Sequence, residues 1–169
     1  MTRAASVSDD GHGVASRFYA AFAARDAGAM GALYAPAATF TDPAFGTLDA
    51  AETRAMWQML LGRAQDLTVT WCVESETPTH ARAHWEARYT FAATGRPVIN
   101  RVASNMTLAG GLIVRQIDHF DFWRWSRQAL GLPGALLGWS PMLRSRVQAQ
   151  ARAGLARFIR QRADGPQPS

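Results

Sequence analysis

The sequence predicts an α+β domain with helices laid on one face of an antiparallel sheet. Two observations carry this: helical apolar periodicity before Gly62 and after Trp123, and two-residue alternation between them, interrupted by glycine-bearing turns. A length of 169 residues at 48% apolar and 18% charged suits a single core.

Residues 1–11 read as a disordered leader. Val14, Phe18 and Phe22 then recur every four residues and place one apolar stripe on a helix ending near Arg25. Asp26 caps a second, short helix carrying Met30 and Leu33, which Pro36 stops. In ATFTDP the strand period puts Phe40 and Asp42 on one side, so burial of Phe40 turns Asp42 inward. Asp49 and Glu52 form a capping box for a third helix over residues 50–62, whose Met56, Trp57, Leu60 and Leu61 make one face.

The strands follow. Leu67, Val69, Trp71 and Val73 alternate with Thr68, Thr70 and Cys72 on the first. On the next, Ala81, Ala83, Trp85, Ala87, Tyr89 and Phe91 oppose Arg82, His84, Glu86, Arg88 and Thr90. A strand from Val98 to Leu108 turns at Ala109-Gly110-Gly111 into LIVRQIDHFDFW. Two registers are open for this hairpin. A two-residue turn sets Asn105 opposite Gln116; a three-residue turn sets Ser104 opposite Gln116 and Val102 opposite Asp118, and the two put opposite faces inward. Beyond Trp123 the pattern is helical to Leu130, Gly-Leu-Pro-Gly breaks it, and Ser140 with Pro141 starts a last helix to about Arg162.

Composition excludes several classes. No apolar run is long enough to span a membrane as a helix, and the opening residues lack the apolar stretch of a secretory signal, so the expected location is cytoplasmic. One cysteine, Cys72, and four scattered histidines give neither a disulfide nor a zinc-ligand spacing; neither metal nor cofactor is expected. His80 and His84 lie roughly 13 Å apart along a strand and cannot share an ion. The net charge of +5 is uneven: residues 1–122 hold ten arginines against twelve acids, and 123–169 hold eight against Asp164 alone. No base-reading motif accompanies the excess, so no nucleic-acid partner is expected.

YAPAATFTDPAFG at 34–46, the three-helix entry and GGLIVRQIDHFD at 110–121 resemble the nuclear transport factor 2-like superfamily, which includes ketosteroid isomerase, limonene epoxide hydrolase and SnoaL-like polyketide cyclases. The resemblance covers residues 12–122 and leaves 123–163 as a helical extension. It implies a cone-shaped, curved sheet wrapped around the N-terminal helices, an apolar pocket binding a small molecule, and a homodimer. Asp42 matches the isomerases' general base, while their tyrosine and protonated aspartate positions read Phe18 and Ser104. Tyr19, about 100° around the helix from Phe18, is not expected to substitute. Asp118 matches a catalytic aspartate of limonene epoxide hydrolase, whose partner arginine and aspartate positions read Trp85 and Ala87; IDHFDFWRWSRQALG looks most like the cyclase branch.

These readings make Asp42 and Asp118 the candidate catalytic pair of a cofactor-free isomerase, cyclase or hydrolase. Two acids in one apolar cone repel, so one is expected to carry a raised pKa and act as the acid. The implied pocket walls are Phe18, Trp85, Tyr89, Phe91, Asn100, Val102, Ser104, Gln116 and Phe120. The competing class is a non-catalytic ligand-binding or dimerisation module, in which Asp42 closes a turn before Pro43 and the aromatics are core. For the tail, Met142, Leu143, Val147, Ala151, Leu155, Phe158 and Ile159 share a helical face flanked by arginines. A lid or dimer element ranks first and peripheral membrane contact through residues 140–162 second.

Overall fold

In the computed structural model, residues 13–165 are described, and the expected leader lies outside them. Helices α1 (Val14–Ala23) and α2 (Ala27–Ala32) lead into β1 (Tyr34–Asp42), β2 (Gly46–Leu48) and α3 (Ala50–Arg63). Strands β3 (Thr68–Glu76), β4 (His80–Phe91), β5 (Arg96–Ala109) and β6 (Leu112–His119) follow, then α4 (Phe122–Leu130), α5 (Leu132–Leu137) and α6 (Pro141–Ala163). The six strands form one curved sheet in the order β2-β1-β6-β5-β4-β3, so the α+β class holds.

The helix starts behave as their sequence chemistry requires. Asp26, Asp49, Asp121 and Ser140 each accept from a backbone amide three residues on, and Asp49 and Glu52 complete the capping box. The strand starting at ATFTDP is longer than expected, because β1 begins at Tyr34 and runs through Pro36. Its register against β6 shifts between Tyr34 and Thr39, which accommodates a proline that has no amide to donate. The pairing of β1 with β6 is parallel, whereas all other strand pairs are antiparallel.

The β5–β6 hairpin uses neither expected register. Gly110 and Gly111, both at positive φ, make a two-residue turn that pairs Ala109 with Leu112 and Leu108 with Ile113. A bulge then takes up an extra residue on β6, so Thr107 faces Arg115, Met106 faces Gln116 and Ser104 faces Asp118. The extra residue restores the faces of the three-residue-turn alternative. Val102, Ser104, Met106, Gln116 and Asp118 all point inward, while His119 pairs with Ala103 and is exposed.

The main core joins α1, α3 and the sheet through Phe18, Tyr19, Phe22, Met30, Phe40 and Trp57. Arg54 of α3 ties this layer together. Its guanidinium donates to the carbonyls of Gly31 (3.0 Å), Ala50 (3.2 Å) and Tyr34 (2.7 Å), fixing where β1 starts relative to α3. A smaller cluster of Val98, Phe122, Trp125 and Ala129 seats α4 on the far end of β5. Beyond the last β6 pairing, β5 lacks a strand neighbour on that side. The Gln128 side chain serves instead, accepting from Ile99 N at 2.8 Å and donating to Ile99 O at 3.1 Å.

Helix α6 lies against the domain. Leu155 is buried in the main core, Ala151 and Phe158 pack on it, and Val147 packs on the smaller cluster. Gln148 donates to Pro43 O, and Arg152 to the carbonyls of Phe45 and Thr47, which latches α6 to the β1–β2 turn. The stripe expected over residues 140–162 is therefore largely occupied by the protein itself. Among the described residues no helix is long and apolar enough to cross a membrane.

Candidate active site

An apolar cavity of about 390 Å³ opens between α3, the inner face of the sheet, α4 and α6. Its walls include Phe22, Phe40, Phe45, Met56, Trp57, Leu60, Trp85, Tyr89, Phe91, Phe120, Leu130, Val147 and Ala151, and its polar groups include Asp42, Asn100 and Asp118. Of the expected lining, Trp85, Tyr89, Phe91, Asn100 and Phe120 border the cavity together with both aspartates. Four others do not. Phe18 is fully buried, edge-on to Tyr34 and Trp57, and Val102, Ser104 and Gln116 lie packed beneath the cavity surface.

Parallel pairing brings the two acids together. Phe40 pairs with Gln116 and Thr41 with Ile117, so Asp42 and Asp118 are the next residues along the two strands, close enough for the Asp118 charge to act on Asp42. Neighbours in register on adjacent strands point to the same face about 4.8 Å apart. Asp42 Oδ1 accepts from Ala44 N at 2.9 Å and Phe45 N at 2.6 Å, so the turn-closing role is present in full. Only one of its oxygens is used in that way.

Asp118 is buried at the end of a hydrogen-bond chain whose polarity is fixed. The Trp57 indole can only donate, and its Nε1 donates to Tyr34 Oη at 3.0 Å. The Tyr34 hydroxyl donates in turn to Gln116 Oε1 at 2.7 Å. This turns the Gln116 amide nitrogen toward Asp118, where it donates to Oδ1 at 3.1 Å. Three buried polar atoms nearby have no hydrogen-bond partner among the described residues: Asp118 Oδ2, Trp85 Nε1 and Tyr19 Oη. Tyr19 was not expected to reach this position. Its ring is stacked on Trp71, and its hydroxyl lies near Ser104 and Asp118 without forming a hydrogen bond.

Both carboxyl groups are held protonated well above the ordinary carboxylate range. Burial pushes Asp118 up to about 6, against partial opposition from the adjacent Ser104, Gln116 and Trp85. Burial pushes Asp42 up to about 7; the Phe45 and Ala44 amides oppose this, and the Asp118 charge adds to it. The expectation of one raised group thus becomes two, with desolvation rather than mutual repulsion as the larger cause. The charge on Asp118 favours the protonated form of Asp42. Tyr19, Tyr34 and Tyr89 are also raised, chiefly by burial, and stay protonated.

The sequence reading set Tyr19 aside, gave Tyr34 no role and did not place the α3 face in the cavity wall, whereas the lid reading of the tail anticipated α6 beside it. The Met56-Trp57-Leu60-Leu61 stripe was a usable signal, because the α3 face it marks is the one that borders the cavity. Among the described residues, no group of three His, Cys, Asp or Glu side chains is placed to hold a metal ion.

A SnoaL-like domain model matches residues 15–116, more than half of the chain, and the protein belongs to that family. Asp118 and helices α4 to α6 lie beyond the matched segment. Among solved structures, a Catenulispora acidiphila protein with a ketosteroid isomerase-like fold, crystallised with trimethylamine, is 19% identical with a TM-score of 0.61, covering 76% of this chain and 97% of that one. A protein of Silicibacter sp. TM1040, assigned provisionally as a polyketide cyclase, is 20% identical with a TM-score of 0.60, covering 68% and 91%. IdmH of Streptomyces antibioticus, also provisionally a polyketide cyclase, is 22% identical with a TM-score of 0.57, covering 70% and 96%. At these identities the likeness shows the fold. No curated protein matches the sequence significantly.

The raised pKa of Asp118 is also a statement about stability. A carboxyl whose folded pKa lies above its unfolded value binds more protons in the native state, so its contribution to stability is full below the unfolded value and is lost as pH rises through about 6. The shape-conserving Asp118→Asn substitution removes that loss. It is expected to raise the melting temperature at pH 8 and leave it nearly unchanged at pH 4, with a gain of roughly 2 to 3 kcal/mol in the alkaline range. Parallel melting curves for the two proteins across that range would contradict the assignment.

Proposed function

We propose that this protein carries out cofactor-free acid–base chemistry on an apolar small molecule bound in the cavity. The observation that carries the reading is the side-by-side placement of Asp42 and Asp118 at an apolar cavity, each held near neutrality. Between pH values of about 6 and about 7, Asp118 is the carboxylate and Asp42 the acid. Asp118 takes a proton from the carbon beside a ligand carbonyl while Asp42 protonates the carbonyl oxygen, giving a neutral enol. The enol proton then returns to Asp42, and Asp118 delivers its own proton to another carbon, which restores both groups and leaves an isomer. Where a second carbonyl lies within reach, the enol carbon attacks its carbon instead; the C=O π bond opens, Asp118 gives its proton to the new alkoxide oxygen and Asp42 takes back the enol proton, which closes a ring and restores both groups.

The cavity walls support an apolar, ring-bearing ligand, since a lining that includes Phe45, Phe91, Phe120 and Trp125 offers aromatic surface and few polar groups. The cytoplasm belongs to the same reading, because the lone Cys72 is exposed and free. One observation favours a second reading, a non-catalytic binding domain: Asp42 already has the structural task of closing the β1–β2 turn.

A thermal-shift screen against steroids, terpenoids and aromatic polyketides is expected to give one chemically coherent set of stabilising ligands. With a turned-over member of that set, Asp118→Asn is expected to lower kcat by about 10²- to 10⁴-fold while ligand affinity stays within a few fold. The wild-type rate should be bell-shaped in pH, with its limbs near 6 and 7. An Asp118→Asn protein that changes affinity alone assigns the cavity to binding.

We also propose a homodimer formed through the outer face of β3 to β6, opposite the cavity. That face holds a shallow saddle between Thr70, His84, Arg101 and His119, crossed by the Glu86–Arg101 and Glu74–His84 ion pairs. Light scattering is expected to return twice the chain mass, and Arg101→Glu, which sets two acids against each other across the saddle, should shift it toward the single-chain mass. A single-chain mass for the wild type would rule the dimer out.

A further inference from the structure

Helix α5 and the turn after it are built inside out. Along Leu132–Trp139 the residues facing the protein are small: Gly134 and Gly138 are buried against α4, and a Cβ on either would overlap Ser126. Ser126 Oγ donates to the carbonyls of Trp123 and Gly134, which fixes α5 on α4. The large apolar side chains face away, with Leu132 77%, Leu136 68%, Trp139 71% and Met142 65% exposed, and Leu137 and Trp123 lie beside them. A short amphipathic segment normally buries its leucines. Here a closely fitted joint holds them outward, which is the pattern of a surface shaped for an apolar environment outside the protein.

Three features identify that environment. First, both indoles have already used their only donor inside the chain: Trp123 Nε1 donates to Ala135 O at 3.1 Å and Trp139 Nε1 to Leu136 O at 2.9 Å. Their rings can therefore leave water without stranding an N–H. Second, the charges that bracket the patch in sequence are exposed arginines. Arg124, Arg127, Arg144 and Arg146 stand before and after it, Arg127 lies over the Trp123 ring and Arg144 over the Phe122 ring, and no acidic residue occurs between Phe122 and Ala163. Third, that charge argues against self-association, because pairing the patch with its own copy sets arginines against arginines. An apolar projection with tryptophan at its edge and an all-cationic border suits an anionic bilayer surface, with the leucines at the acyl boundary and the guanidinium groups at the headgroup phosphates.

We infer that the α5 projection, with Trp139 and Met142, docks the protein peripherally on anionic lipid. The contact shares Met142 with the one expected of residues 140–162 but is centred on α5, because Val147, Ala151, Leu155 and Phe158 of that stripe pack on the domain. It is independent of the acid–base reading, and either can fail without the other.

The test is co-sedimentation of the full chain with large vesicles of phosphatidylcholine alone and of phosphatidylcholine mixed with phosphatidylglycerol. The wild type should pellet with the mixed vesicles, remain in solution with phosphatidylcholine alone, and detach in high salt. Because Leu136 and Trp139 are exposed, a Leu136→Ser, Trp139→Ser double variant should keep the wild-type melting temperature and lose binding at least about tenfold. An Arg144→Gln, Arg146→Gln variant should bind less tightly and depend less on salt. Failure of the wild type to bind anionic vesicles overturns the inference, as does a serine variant that binds as well as the wild type. If the serine substitutions instead reduce the oligomeric mass seen by light scattering while no vesicle binding exists, the patch belongs to a second copy and the inference is wrong.

Discussion

The parallel pairing of β1 with β6 is the constraint on which the rest of the site depends. An antiparallel neighbour could have supplied a hydrophobic wall, but this pairing carries Phe40 and Gln116, and then Asp42 and Asp118, forward together onto one inward face. Burying two acids side by side is costly, and the cost appears as pKa values raised well above the ordinary carboxylate range, so each group holds its proton to a higher pH than usual. Arg54 stands near the start of β1, and its bonds go to backbone carbonyls at the opposite end of the strand from Asp42.

The polar chain beneath the acids explains how a buried carboxyl keeps one orientation. Trp57 has only a donor, so Tyr34 must pass its proton toward Gln116, and Gln116 must then offer its amide nitrogen to Asp118. Each member is held by a different element: α3, β1 and β6. A displacement of α3 therefore reaches Asp118 through two side chains, which links ligand-wall packing to the ionisation of the acid at its floor.

Much of this was legible in the sequence, though not for uniform reasons. The inward turn of Asp42 followed from the two-residue strand period, and the capping box from its spacing, because both are local. The hairpin register was not legible. The glycines gave the turn, but the bulge that follows, which sets Ser104 against Asp118 and Met106 against Gln116 on the buried face, is not encoded in any short-range pattern. Tyr19 was set aside because a helical wheel gives the direction of Cβ and not the reach of a phenol. The Tyr34–Trp57–Gln116 chain joins residues far apart in sequence, and only the tertiary structure brings them together. In the tail, periodicity found the α6 stripe but could not show that Leu155 and Phe158 spend it on the domain, nor that α5 presents its leucines outward.

The central claim is that two adjacent buried carboxyls titrate as a coupled pair near neutrality. Carbon NMR of aspartate-carboxyl-labelled protein across a pH series, with the two resonances assigned through Asp42→Asn and Asp118→Asn, measures it directly. The account predicts that both signals move near pH values of 6 and 7, that Asp118 leads, and that removing Asp118 lowers the midpoint of Asp42. Two independent titrations in the ordinary carboxylate range, each indifferent to loss of the other group, would contradict it.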